Sequence, residues 1–111
     1  MLVKPIPIKL LSGECVLKKP VKDGVYGGKY TTAAVLRNVR IEEKRKGDFS
    51  GGNEKYAQYL VLYYDSVNSL PHNVEIDVGD VVEYRGGSYR VENARYVMAA
   101  DKVHHIRAVL I

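Results

Sequence analysis

The chain reads as all-β, a small closed or nearly closed barrel of about six strands with long loops and a proline-containing N-terminal arm. Three observations predict this. Apolar residues alternate with polar ones over short stretches bounded by Gly, Pro, Asn and Asp. Almost nothing carries the 3.6-residue period of an amphipathic helix. The length of 111 residues is that of one domain, taken here as 1–111, so the strands must share a single core.

Residues 1–12 form the arm. Pro5 and Pro7 forbid regular pairing and hold the chain extended, while Ile6, Ile8, Leu10 and Leu11 give it an apolar face. That face predicts docking on its own barrel or on a neighbour, with room for one helical turn around Ile8–Leu11. Cys15 to Lys19 is the first strand, ended by Pro20. Asp23-Gly24 and Gly27-Gly28 are turn signals that close a hairpin with Val25 and Tyr26 at its tip.

Tyr30 to Lys46 is a long β-rich run, with Val35, Val39 and Ile41 expected on one face. Arg37 interrupts the alternation and predicts a bulge or an edge position nearby. Gly47 to Asn53 contains three glycines and no periodicity and is expected to be a mobile loop between two long strands. Tyr56 to Asp65 returns to strand with both faces apolar, which predicts burial against the barrel interior and against a partner. Val67 to Val78 is a connection broken by Pro71 and Asn73. Three short strands follow: Asp80–Tyr84, Ser88–Glu92 and His104–Leu110. A tight Arg85-Gly86-Gly87 turn joins the first two, and a longer link containing Asp101 leads to the last.

The net charge of +4 is unevenly placed, with 12 Lys/Arg against 6 Asp/Glu in residues 1–55 and 5 against 7 in residues 56–111. Such asymmetry suits weak attraction to nucleic acid, or a basic surface meeting an acidic neighbour. The single Cys15 excludes an internal disulfide and reads as a packing residue of a reducing cytoplasm. The prolines and lysines of the first ten residues leave no apolar segment for a secretion signal, and no run is long enough for a membrane-spanning helix. A soluble protein made in the cytoplasm is therefore expected.

No catalytic, metal or cofactor site is expected. His104 and His105 are adjacent on a strand, so their rings should face opposite ways. Glu42 and Glu43 alternate faces likewise, Cys15 has no histidine near it in sequence, and Gly47–Gly52 lacks the Gly-Lys-Ser/Thr ending of a phosphate loop. Nine tyrosines interleaved with arginines could offer stacking platforms, which makes a small barrel binding single-stranded nucleic acid the alternative reading. Against it, the basic cluster of Arg40, Lys44, Arg45 and Lys46 is nearly cancelled by Glu42, Glu43, Asp48 and Glu54.

The last third carries the most recognisable pattern. Val78-Gly79-Asp80-Val81-Val82-Glu83-Tyr84, then Gly86-Gly87-Ser88-Tyr89-Arg90-Val91, then Asp101-Lys102-Val103-His104-His105 and an apolar strand, resembles the minor capsid proteins of phages and prophages of Gram-positive bacteria. Lys4-Pro5-Ile6-Pro7 with Leu10-Leu11, Leu36-Arg37-Asn38-Val39-Arg40-Ile41-Glu42 and Asp65-Ser66-Val67-Asn68-Ser69 extend the likeness over most of the chain.

The resemblance implies a structural virion protein, a head-completion or head–tail connector subunit that forms a homo-oligomeric ring below the portal. Double-stranded DNA would pass through without specific binding. Its partners would be further copies of itself, which need not associate when free, and portal, adaptor and tail proteins; it would meet no membrane. It would be found in the host cytoplasm during assembly and at the head–tail junction of the virion. The interface candidates it implies are Ile6, Ile8 and Leu10 in the arm, Val25 and Tyr26 at the hairpin tip, and Lys44, Arg45, Lys46, Phe49 and Lys55 in a long flexible channel-side loop spanning 43–55.

Overall fold

A computed structural model describes residues 4–21, 30–48 and 55–111, with backbone alone for 46–48 and 55–57. The fold is a closed antiparallel barrel. Its strands are β1 (Gly13–Pro20), β2 (Tyr30–Asp48), β3 (Lys55–Asp65), β4 (Val81–Tyr84), β5 (Gly87–Ala99) and β6 (Lys102–Leu110), ordered β1-β2-β3-β6-β5-β4 around the wall. Closure pairs β4 with β1, Val16 opposite Glu83 and Lys18 opposite Val81. One 3₁₀ turn, Ile8–Leu10, lies in the arm where a single helical turn was predicted.

The interior follows from period-two alternation. Cys15 and Leu17 from β1, Leu60, Leu62 and Tyr64 from β3, Val82 from β4, Val91 from β5, and Ile106, Ala108 and Leu110 from β6 share one core cluster. Each fully buried aliphatic side chain contributes roughly 1.5–3 kcal/mol, so these inward stripes dominate the folding energy. Ile76 joins them from the connection after β3, held by the Tyr96 hydroxyl, which accepts its N–H at 2.9 Å and donates to its C=O at 3.1 Å.

A bulge in β2 corrects the expected face. Gly13 pairs with Val39 and Glu14 with Arg37, so Asn38 is the extra residue, at φ 55°. The phase slips by one there. Leu36, not Val35, therefore shares the inward side with Val39, and Val35 is exposed. The predicted irregularity beside Arg37 is this bulge. It also drives the Val39 carbonyl against Gly13, where an added Cβ would lie 2.8 Å from that oxygen.

Strand extends further than expected in two places, the first within the 43–55 span that the resemblance implies is loop. Glu43 to Asp48 continues β2, and Lys55 begins β3, paired with Asp48. In the last third, β5 runs on from Glu92 to Ala99 against β6, which reduces the expected long link to a turn at Ala100-Asp101. A register shift between Val91 and Asn93 breaks the alternation there, so the stretch does not look like a strand in sequence. The turn between β4 and β5 is Arg85-Gly86, with φ 48° and 79°, the doubly positive geometry that two-residue hairpins favour.

Candidate assembly surfaces

The arm is tied down through its backbone. Asp65, fully buried at the end of β3, accepts the Ile6 N–H at 3.0 Å, and the Asn68 side-chain amide donates to the Ile6 carbonyl at 2.7 Å. The other Asp65 oxygen accepts the N–H groups of Val67 and Asn68 at 3.0 and 2.8 Å, an Asx-type turn. Ser69, also buried, accepts the Asp65 N–H at 2.8 Å and donates to the Asn38 carbonyl. The segment Asp65–Ser69 thus connects the arm, the end of β3 and the β2 bulge. Sequence reasoning assigned no role to Asp65 or Ser69, although an Asp two and three residues before the N–H groups it binds is a turn signal visible in sequence.

Of the arm candidates, Ile6 is half-buried while Ile8 and Leu10 are 59% and 44% exposed. Leu11 carries the arm's buried contact. The apolar side chains of Ile8 and Leu10 are thus presented outward from an anchored backbone.

The two histidines do not point apart. Their Nδ1 atoms lie 2.8 Å from one another, with rings at 80°. Val97 pairs with His105 and Met98 with Val103, so His104 is a bulged residue and the alternation of faces fails there. His104 Nε2 sits 2.6 Å from the Lys4 carbonyl, which assigns Nε2 the proton and leaves Nδ1 to accept from His105. Burial and then the neighbouring His104 hold the His105 pKa below its usual value, against the opposing pull of Asp65. Among the described residues no three His, Cys, Asp or Glu side chains are grouped to hold a metal.

The channel-side candidates sit on a two-stranded ribbon. From Lys44 to Asp48 and from Lys55 to Tyr59 the strands pair only with one another, because β1 ends opposite Val39 and β6 opposite Leu60. Lys44 and Arg45 are exposed. Glu42 binds Arg40 at 2.7 Å and Lys44 at 3.1 Å, and these two contacts, Arg40 first, lower its pKa. The basic cluster is partly neutralised within its own strand. Lys46 and Lys55 lie on the ribbon backbone, while Phe49, Val25 and Tyr26 fall outside the described residues.

The chain matches no family model and no curated protein.

The outer face of β3 is part covered within the chain itself. Val61 points away from the core stripe yet is fully buried. Tyr59 and Tyr63, flanking it, remain half-buried. Beside them an open groove of about 700 Å³ has Val109 and Ile111 among its apolar lining and Arg45, Arg107 and Glu92 among its charged lining.

Proposed function

We propose that the chain is a non-enzymatic structural protein of a phage or prophage virion, a head-completion or head–tail connector subunit that assembles as a ring below the portal. The observation that carries this reading is the pairing of a closed barrel with a protruding ribbon. Closure removes the free edges through which sheets aggregate, while the ribbon from Lys44 to Asp48 and Lys55 to Tyr59 extends past the strands that flank it. A ring subunit needs a stable body together with elements that reach beyond it.

Two further features favour the same reading. Ile8 and Leu10 are held outward by an arm whose backbone is fixed at Asp65, so they can meet a neighbour without first being ordered. The ribbon base mixes charges, with Glu42 bound to both Arg40 and Lys44. Such a surface can lie near DNA without gripping it, since a strong hold on phosphates requires uncancelled positive charge. The partners on this reading are sister copies, portal or adaptor proteins and tail proteins, met in the host cytoplasm and retained at the head–tail junction.

The test is co-expression of the chain with a portal assembly from the same genome, followed by purification and electron microscopy. A ring of added density below the portal is expected. Portal particles that never retain the chain would overturn the reading. Deleting residues 49–53 should leave the barrel's thermal transition in place and reduce DNA retention in assembled particles.

A further inference from the structure

One row of side chains crosses four strands of the barrel wall. Arg95 on β5 stands directly opposite Arg107 on β6, Arg107 opposite Tyr63 on β3, and Tyr63 opposite Arg40 on β2. Residue 107 falls between the buried Ile106 and Ala108, so the row lies on the outer surface. Arg40 is neutralised by Glu42. Among the described ion pairs, neither Arg95 nor Arg107 has a carboxylate. Like charges directly across a strand pair are unfavourable, and a carboxylate brought from outside relieves them.

The segment leading into β4 has the complementary composition. From His72 to Glu83 the chain contains four carboxylates and no lysine or arginine. Val78 is 67% exposed, and Glu75 and Asp77 just before it are exposed as well. Asp77 and Glu83 bind Lys19 and Lys18, yet their side chains remain 62% and 41% exposed. Around the closed wall β4 neighbours β5, and the Ile76 backbone bonds the Tyr96 hydroxyl, so this flank lies beside the Arg95 end of the row, while β3 stands three places away.

We propose that the outer face of β3, β6 and β5 docks on the Glu75–Glu83 flank of a second copy. Val78 of one copy seats on Val109 and Ile111 of the next. Glu75 and Asp77 meet Arg107, Arg95 and Arg45. The contact joins two different patches, so it propagates head to tail, and it closes as a ring where the rotation between copies permits. Tyrosine and arginine around an apolar floor are also the composition of protein interfaces. Nucleic acid is the poorer occupant, because Glu42 and Glu92 lie on the same face. The inference deepens the ring reading and rests on it for its context.

The test is sedimentation of the full chain as wild type, as Arg95→Glu with Arg107→Glu, as Glu75→Lys with Asp77→Lys, and as a mixture of the two variants. Wild type should associate with rising concentration, about tenfold more weakly in high salt. Each double variant alone should be monomeric, and the mixture should associate again, since each reversed patch then finds its complement. That recovery also shows that both variants fold. A wild type that stays monomeric at every concentration and salt would overturn the proposal, leaving the portal experiment to judge the connector reading. Variants that associate as wild type does would overturn it too, and would assign ring contacts to another surface. Salt-sensitive binding of a single-stranded oligonucleotide, lost in the arginine variant while self-association persists, would assign the face to nucleic acid instead.

Discussion

Asp65 and Ile6 are 59 positions apart, yet the Asp65 carboxylate accepts the Ile6 backbone N–H at 3.0 Å. The same buried carboxylate closes the turn at Val67 and Asn68, so the arm is fixed by the group that ends β3. Replacing Asp65 with Ala leaves three N–H groups without their charged acceptor. A loss of about 3 kcal/mol in unfolding free energy is expected. Chemical denaturation measures it, and hydrogen exchange at the Ile6 amide should rise with it. An Ile6 amide as protected as in the wild type would show that the arm is held otherwise.

His105 should make stability depend on pH. His105 has a lowered pKa in the folded protein, so the unfolded chain takes up the proton first as pH falls below about 6.5. The stability from this group is fully present above that pH and is lost as pH falls through the lower folded value. Denaturant midpoints measured through the acid range should decline for the wild type. The decline should flatten in His105→Gln, and an unchanged slope would exclude His105 as its source.

The bulge at Asn38 is testable through its backbone. At φ 55° a side chain with a Cβ is strained, and Asn tolerates the position better than most residues. Its amide also donates to the Asn68 carbonyl at 3.3 Å. Asn38→Ala should lower stability by about 2 kcal/mol, combining backbone strain with the lost hydrogen bond. Asn38→Gly relieves the strain and should lose about half as much. If the two variants proved equally stable, left-handed backbone would not be the controlling feature.

Cys15 should be inert while the barrel is intact. Burial first, and then the Glu14 charge, push its thiol up to about 12. The thiolate is the reactive form, so labelling by a disulfide reagent at neutral pH should proceed only through unfolding. Labelling should track the denaturant transition, and rapid modification under native conditions would place Cys15 outside the core.

The all-β class, the number of strands and most of their positions were legible in the sequence alone. Alternation in Cys15–Lys19, Tyr56–Asp65 and His104–Leu110, with turn residues such as Arg85-Gly86, is local information, and the core stripes follow from it. Bulges were legible only as irregularities. The break at Arg37 announced one, but which of Val35 and Leu36 turned inward depended on Gly13 pairing with Val39. The shift after Val91 hid the second half of β5, and the bulge at His104 brought together two rings that strict alternation would separate. The roles of Asp65, of the Arg95–Arg107 row and of the ribbon beyond Glu43 depend on partners tens of residues distant. Tertiary pairing alone decided these, because a strand residue's neighbours across the sheet are set by register, which a chain acquires only when its whole wall closes.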